Sequence, residues 1–411
     1  MARVEPTMLR CADEVAQRLK LGARPALDPD KLIEQAERRA GRPFRNREFE
    51  PALRVLIESC EHEAALSVFG RASLHWDVLR LLGNVLRLER AEAEDPRIVG
   101  GEITAPIFIT GLPRSGTTFL HTLLAEDPDN MAPLSWETMQ PYPDRRDRSR
   151  DGRVRRTERE LGVFRRLSPE VEGLHPLAAS TPQECTEITA HVFQSLRFDT
   201  TYWAPSYLDW LERCGHAAAF QFHKRFLQHL QAQNLQAQPG RRRWVLKCPD
   251  HVFTLAAIQA VYPDARFVFC HREPAPMLAS VAKLTCVLRA PFTRKLDPVA
   301  IGAQVSGRWL EGSEKILQAA EILPAERVLH LHHREITARP LESVEQVYQH
   351  FDLPFPEAAQ RRIAAAVARR PRGGYTVNRY DPSEFGLDLA ALSRRFEAYS
   401  RAFALAGVEA A

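Results

Sequence analysis

A short loop rich in glycine and hydroxyl residues follows the first strongly apolar run of the chain, within IFITGLPRSGTTFLHTLL at residues 107–124. Gly111, Gly116 and Thr118 have the spacing of the phosphate-binding pattern G-x-x-x-x-G-K-[ST], but Thr117 occupies the lysine position. In an ATPase that lysine reaches the β- and γ-phosphates of a magnesium-bound triphosphate. Its loss argues against such a ligand and favours a nucleotide with a single anionic group at its 5′ end.

The other residues of this loop supply the donors that an anion needs. Glycine at 111 permits a sharp turn, and glycine at 116 lets backbone N–H groups approach an anion closely. A helix that starts at Thr117 adds free N–H groups and the positive end of its dipole. The side-chain donors are Arg114, Ser115, Thr117 and Thr118. An ordinary glycine-containing turn between a strand and a helix is the alternative to a phosphate site.

The elements that must position this loop alternate between strands and helices. Apolar runs predict strands at 105–110, 243–247, 266–271 and 327–333, and helical spacing resumes between them. Such alternation predicts an α/β fold, a P-loop-like and mainly parallel sheet flanked by helices. The carboxyl ends of its strands would carry Arg114, Lys247 and Arg272, at the edge where open α/β sheets bind ligands.

The rest of the chain predicts two parts of different character. Residues 8–95 have apolar positions at three- and four-residue spacing, so residues 1–100 are predicted to form a helical N-terminal segment. Residues 101–411 would form the α/β domain. Within it, the stretch 144–166 is crowded with charges, which we interpret as a solvated helix or insertion. We predict that 144–215 is a lid or acceptor-binding insertion.

Composition limits the classes of function without choosing among them. Apolar residues make up 45% and charged residues 26% of the 411, and the formal charge is +4. These values are those of an ordinary globular protein, and so mild a charge requires no nucleic-acid partner. The seven cysteines include no C-x-x-C pair, and no long apolar run predicts a membrane span. We therefore expect a reduced, cytoplasmic environment.

The loop resembles a known family. GLPRSGTTFLHTLL is similar to the 5′-phosphosulfate loop of the sulfotransferases that use 3′-phosphoadenosine 5′-phosphosulfate (PAPS), in the form found in tyrosylprotein and bacterial enzymes. VFCHREPAPMLASVAKL resembles the family's second element, in which Arg272 and Ser280 would hold the 3′-phosphate. WVLKCPDHVFTL and the C-terminal NRYDPSEFGLDLAALSRRFEAYSRAF resemble further segments of the bacterial branch.

The resemblance implies a reaction and a set of roles. PAPS would be the co-substrate and 3′-phosphoadenosine 5′-phosphate (PAP) the product, without a metal, and a small molecule would accept the sulfuryl group through a hydroxyl or an amine. The 5′-phosphate would be held by Arg114, Ser115, Gly116, Thr117 and Thr118. Lys247 would contact the leaving or transferring oxygens.

Two residues compete for the role of general base. Glu137, in APLSWETMQP, lies where the tyrosylprotein-like branch has its catalytic glutamate. His251, in LKCPDH, lies near the position of the catalytic histidine of the cytosolic branch, but it follows Lys247 by four residues instead of two. Burial beside Trp136 would raise the pKa of the Glu137 carboxyl, whereas an imidazole titrates nearer neutrality. The choice between them stays open at this point.

Other interpretations remain. A P-loop kinase or NTPase would explain the glycines, and a non-catalytic nucleotide-binding protein could retain the same loops. His271, His330, His332 and His333 lack a metal-binding spacing, and Cys248 and Cys270 lie in apolar strand settings typical of the core. A cluster of aromatic residues lies at 193–210: Phe193, Phe198, Tyr202, Trp203, Tyr207 and Trp210. These side chains could line an acceptor pocket for a lipid-like or aromatic alcohol, but packing in the core is the preferred interpretation.

Overall fold

The computed structural model describes residues 27–143, 150–175, 177–237, 243–369 and 380–405. The beginning of the predicted helical segment and residues 144–149 of the charged stretch lie outside these ranges. So do residues 378–379 of the C-terminal segment that carries part of the family resemblance.

Five parallel strands form one sheet in the described part of the chain, and their order is β2-β3-β1-β4-β5. The strands are β1 (Ile107–Gly111), β2 (Asn130–Met131), β3 (Arg243–Lys247), β4 (Arg266–His271) and β5 (Val328–His332). The four predicted strands are confirmed. β2 was not predicted, because two residues are too few to show an alternating pattern.

Helices cover both faces of the sheet and build the region before it. They are α1 (Pro29–Ala40), α2 (Glu50–His62), α3 (Val68–Glu94), α4 (Thr117–Leu124), α5 (Ser135–Met139), α6 (Arg150–Leu167), α7 (Val171–Leu174), α8 (Cys185–Thr189), α9 (Arg197–Thr201), α10 (Pro205–Cys214), α11 (Ala217–Ala237), α12 (Leu255–Val261), α13 (Pro274–Arg289), α14 (Pro298–Leu317), α15 (His333–Ala338), α16 (Pro340–His350), α17 (Glu357–Arg369), α18 (Leu389–Arg395) and α19 (Glu397–Ala402). Short 3-10 helices include Pro249–Phe253 and Pro382–Phe385.

Successive residues of each central strand point to opposite faces of the sheet, and both faces are buried. Phe108 and Phe267 belong to the large core, whereas Ile109 and Val268 belong to a second core that also contains Leu120 of α4. Strands buried on both faces read as continuous apolar runs, which is the pattern that the sequence shows. The predicted α/β class is thus confirmed.

The strand order creates a crevice beside β1. From β1 the chain moves to β2 and β3 on one side and then crosses to β4 and β5 on the other. Ligands of open α/β sheets bind where the order reverses in this way, outside the carboxyl ends of the strands. The loop after β1, Lys247 at the end of β3 and Arg272 after β4 all lie at that edge.

The N-terminal helices pack into the same core as the sheet. The long helix α3 has buried apolar residues around most of its circumference, as expected for a helix surrounded by protein: Leu74, Val78, Leu81, Leu82, Val85, Leu86 and Leu88. The Ser67 hydroxyl accepts a hydrogen bond from Gly70 N at 2.9 Å and caps the start of this helix. The predicted helical character of this segment is confirmed.

Gly111 ends β1 where the backbone of β4 comes very close. Its φ is 134°, and a Cβ atom at this position would lie 2.2 Å from the carbonyl oxygen of Cys270. Both the unusual backbone angle and the contact exclude any larger residue. Gly111 is therefore needed for the close packing of β1 against β4 as well as for the turn.

We predict that Gly111→Ala lowers the free energy of unfolding by about 2–5 kcal/mol, because it adds overpacking to backbone strain. Urea unfolding followed by circular dichroism measures the change. Gly100→Ala is the matched control, since an added Cβ there meets no atom within 4 Å. Equal stability of the two variants would contradict the close approach of β1 and β4.

Candidate active site

The loop after β1 has the geometry of an anion-binding turn. Gly116 precedes α4 with a φ of 94°, and Arg114 also has a positive φ of 64°. Ser115 is fully buried, and its hydroxyl oxygen has no hydrogen-bond partner among the described residues. A buried hydroxyl without a partner costs about 1–3 kcal/mol, so this loop suits a ligand that supplies the missing acceptor. Thr117 is buried and Thr118 is exposed at the start of the helix.

Arg114 and Arg272 meet at this edge of the sheet. The Arg272 guanidinium Nη1 donates a hydrogen bond to the Arg114 carbonyl oxygen at 2.9 Å, and the Arg114 Nη1 donates to the Leu174 carbonyl of α7 at 2.8 Å. Burial, together with the nearby positive charge of Arg114, lowers the pKa of Arg272. The positive charge of Arg114 thus disfavours the charged form of Arg272, and an anion bound near both side chains would offset this effect.

Ser280 lies on α13, which begins directly after Arg272 and Glu273, and it is half-buried. Tyr380 lies close to it. Burial raises the pKa of Tyr380, while the neighbouring Ser280 hydroxyl and the charge of Arg114 oppose that rise. Arg114 and Arg272 are thus in contact, and Tyr380 lies near both Ser280 and Arg114.

Lys247 is almost completely buried at the end of β3 and forms an ion pair that the sequence did not predict. Its Nζ lies 2.5 Å from Oε1 of Glu184, the residue that precedes α8. Burial alone would raise the pKa of Glu184, but the charges of Lys247 and His175 outweigh it and hold the pKa at about 2. The Glu184 carboxyl group is therefore ionised at neutral pH.

Glu184 could not have been found from the sequence. A buried lysine requires a carboxylate partner, but 52 acidic residues were available and no spacing distinguishes this one. The pairing depends on a contact between residues 63 positions apart.

Glu137 lies in the first turn of α5, on a segment next to Glu184. Its Oε2 accepts a hydrogen bond from Leu134 N at 2.9 Å, as in a capping box. Residues 133–136 are hydrogen-bonded to residues 179–183 through the backbone, including Trp136 N to Ala179 O at 2.9 Å and Gln183 N to Pro133 O at 2.7 Å. These bonds connect the segment that begins the helix of Glu137 to the segment that leads into Glu184.

His251 lies in a different environment. It is 2% exposed, and its ring contacts Phe108 edge-on at 5.1 Å and Phe220 at 6.2 Å between centroids. Neither ring nitrogen has a hydrogen-bond partner in the described structure, and burial lowers the pKa of this imidazole well below its ordinary value. The ring borders a small cavity of about 20 Å³ within the core. Such surroundings disfavour the protonated form of the imidazole.

Two further groups of residues complete the description. Within the ranges that the structure describes, no cluster of His, Cys, Asp or Glu could hold a metal ion, and none of the helices is long and apolar enough to span a membrane. His271, His330 and His332 are strand residues, as predicted, and His333 begins α15. Cys248 and Cys270 are buried.

Comparison with solved structures reveals two close matches in fold. The sulfotransferase STF1 from Mycobacterium tuberculosis H37Rv superimposes with a TM-score of 0.78 at 27% identity, covering 91% of this chain and 99% of that one. The sulfotransferase STF9 from Mycobacterium avium gives a TM-score of 0.77 at 23% identity, covering 91% and 96%. The fold is therefore that of these sulfotransferases.

Sequence comparison gives the same result. Omega-hydroxy-beta-dihydromenaquinone-9 sulfotransferase Stf3 of Mycobacterium bovis and of Mycobacterium tuberculosis is 23% identical over 291 residues, which are 67% of this chain and 69% of the relative. A sequence model described as the Sulfotransferase family matches residues 106–357, more than half of the chain and the whole of the sheet. The chain therefore belongs to the sulfotransferase family and is a transferase.

Proposed function

We propose that this protein transfers the sulfuryl group of PAPS to a hydroxyl acceptor and releases PAP. The observation that carries the proposal is the loop at residues 111–118, where the buried Ser115 hydroxyl lacks a partner among the described residues and the Arg272 guanidinium binds the Arg114 carbonyl oxygen. A nucleotide with one phosphate on the 5′ oxygen and one on the 3′ oxygen of its ribose would give Ser115 an acceptor and the arginines negative charge. The donors present therefore fit the nucleotide that the family uses.

The two phosphates would bind to two parts of the edge. Arg114, Ser115, Gly116, Thr117 and Thr118 would hold the 5′ side through the backbone and the start of α4. Arg272 and Ser280 would hold the 3′-phosphate, because a guanidinium and a hydroxyl near one another make charge-assisted bonds to one anion. In this arrangement the N-terminus of α4 adds its dipole to the attraction.

Transfer itself requires alignment and stabilisation of negative charge. The acceptor oxygen forms a bond to sulfur, the bond between sulfur and the 5′-phosphate oxygen breaks, and PAP leaves with the electron pair. We propose that the Lys247 ammonium stabilises the charge on that leaving oxygen. Glu184 would hold the Lys247 side chain at the end of β3 until the nucleotide binds, because the two groups are 2.5 Å apart.

We propose Glu137 as the general base that takes the acceptor proton. It lies on the segment hydrogen-bonded to residues 179–183, next to the Lys247–Glu184 pair. His251 is the less suitable candidate, since its ring is enclosed by Phe108 and Phe220 and its pKa is lowered by burial. A base must have a usable pKa and reach the proton that it removes.

The acceptor that we propose is an apolar alcohol. Stf3 is named for a menaquinone-derived hydroxyl compound, and two of the predicted aromatic residues line a cavity of about 190 Å³ in this chain. Tyr202 and Trp203 form part of its wall together with Phe292. Phe193, Phe198 and Tyr207 are buried in the core, and so is most of Tyr202.

We further propose that residues 144–215 form a cover over the bound nucleotide. Their link to the cofactor loop is the hydrogen bond from Arg114 to the Leu174 carbonyl of α7. The cytoplasm remains the proposed compartment, because none of the six cysteines within the described residues forms a disulfide.

Calorimetric titration with PAP and, separately, with ATP and magnesium tests the proposed function. We expect binding of PAP and weak or absent binding of the triphosphate. Turnover of PAPS over a panel of long-chain alcohols and phenols then identifies the acceptor. Binding of ATP with magnesium but not of PAP would favour an NTPase instead, and PAP binding without any turnover would favour a non-catalytic nucleotide-binding protein.

For the 3′-phosphate, we predict that Arg272→Ala weakens the binding of PAP by about 1.5–3 kcal/mol, the value of a hydrogen bond to a charged group. Ser280→Ala should have a smaller effect in the same direction. Adenosine 5′-monophosphate serves as the control ligand because it lacks the 3′-phosphate, so calorimetry should show little change in its affinity. Equal losses for both ligands would assign Arg272 and Ser280 to another part of the nucleotide.

For the general base, we predict that Glu137→Gln lowers kcat by ~10²–10⁴ and leaves PAP affinity nearly unchanged. The amide oxygen of glutamine can still accept the hydrogen bond from Leu134 N, so the start of α5 should be preserved. His251→Phe is the comparison variant, and its kcat should stay near that of the unsubstituted protein. Normal turnover of Glu137→Gln combined with a large loss in His251→Phe would assign the role to the histidine.

A further inference from the structure

Arg80 of α3 lies at the centre of a buried ionic network. Its side chain is 4% exposed, and its guanidinium group donates to Asp77 on the same helix at 2.7 Å and to Glu187 of α8 at 2.6 Å. Arg197 completes the network through Asp77 at 2.6 Å and Glu187 at 3.3 Å. Two positive and two negative groups thus balance one another away from water.

The same guanidinium also binds the end of α5. Arg80 Nη1 donates to the Met139 carbonyl oxygen at 3.4 Å, and Asn84, one turn further along α3, donates to that oxygen at 3.0 Å. The last carbonyl groups of a helix lack partners within the helix, and a cation there interacts favourably with the helix dipole. The Asn84 amide also bonds His191 Nε2 at 3.1 Å, immediately beyond α8.

These contacts join one helix that contains a proposed catalytic group to another that directly follows one. α5 contains Glu137 two residues before Met139, and Glu184 directly precedes α8, three residues before Glu187. Arg80 therefore binds one helix next to the proposed base and the other next to the partner of Lys247. Both helices are only five residues long, so each depends on its neighbours for its position.

We propose that Arg80, assisted by Asn84, is a positioning residue for sulfuryl transfer: it fixes the position of the helix that contains Glu137 relative to the helix that follows Glu184. This inference rests on the proposed function. It assigns the N-terminal helical segment a part in catalysis, since α3 supplies the residues that hold the two helices apart at a set distance.

A purely stabilising role explains the network less well. Burying four charged groups costs desolvation energy, and apolar residues of the same size often stabilise a core equally well. An ionic network instead restricts its members to one geometry, because its donors and acceptors must all be satisfied. Misplacement of reacting groups by about 1 Å can reduce the rate by about 100-fold, so a rigid spacing has direct value for turnover.

The test compares three variants in α3 with a matched control on the same helix. Arg80→Met removes the charge but keeps much of the volume, and Arg80→Lys restores the charge with fewer donors. Asn84→Ala leaves Arg80 in place and removes the Asn84 contacts to Met139, His191 and Arg87. Arg71→Met is the control, because Arg71 pairs with Glu61 within the N-terminal helices. The kcat and KM for PAPS are measured with the best acceptor from the alcohol panel, and PAP affinity is measured by calorimetry.

We expect Arg80→Met to lower kcat by about 10- to 100-fold, with KM for PAPS and PAP affinity within about threefold of the unsubstituted values. Arg80→Lys should recover part of the loss, and Arg71→Met should lower the melting temperature without a comparable loss of kcat. If Arg80→Met fails to fold, Asn84→Ala carries the test, with a smaller decrease in kcat and faster hydrogen exchange at residues 135–139.

Three outcomes would overturn the inference. Normal kcat in folded Arg80→Met, normal kcat and exchange in Asn84→Ala, or equal kcat losses in Arg80→Met and Arg71→Met would each assign the network to stability alone. Failure of the unsubstituted protein both to bind PAP and to turn over PAPS is a separate result: it would refute the proposed function, and the inference would fall with it.

Discussion

The buried ion pair between Lys247 and Glu184 is the interaction on which the arrangement of the site depends. A lysine at the end of a central strand is enclosed by protein on all sides, and an isolated ammonium there would be very costly. Glu184 removes that cost only if the chain before α8 reaches the carboxyl edge of β3. The backbone bonds between residues 179–183 and 133–136 hold that part of the chain, and they join it to the start of the helix that contains Glu137.

The features that depend on neighbouring residues along the chain could be predicted from the sequence. Strands buried on both faces have continuous apolar runs, and the glycines at 111 and 116 mark backbone angles that other residues avoid, so the sheet and the loop could be predicted. The common edge of Arg114, Lys247 and Arg272 follows because parallel strands present all their carboxyl ends on one side. These predictions needed no knowledge of tertiary contacts.

Features that depend on partners distant in sequence could not be predicted in this way. Arg80 and Glu187 are 107 positions apart, and Arg80 reads in the sequence as an ordinary charged residue on a helix. The burial of His251 against Phe108 depends on how the chain turns after Pro249, which the local composition does not determine. The aromatic group at 193–210 is ambiguous for a related reason: an aromatic side chain satisfies a core and a cavity wall equally well.

The positive side chains at the carboxyl edge of the sheet differ in whether they are paired with a carboxylate. Within the described residues, neither Arg114 nor Arg272 forms an ion pair with a carboxylate, whereas Lys247 is neutralised by Glu184. In the proposed function, the two guanidinium groups without a carboxylate partner would attract a doubly phosphorylated nucleotide. The paired lysine would add little to that attraction, because its charge is already compensated by Glu184. Its field would become important when negative charge develops on a nearby oxygen during transfer, so we propose that the arginines favour the bound nucleotide and the lysine favours the transition state.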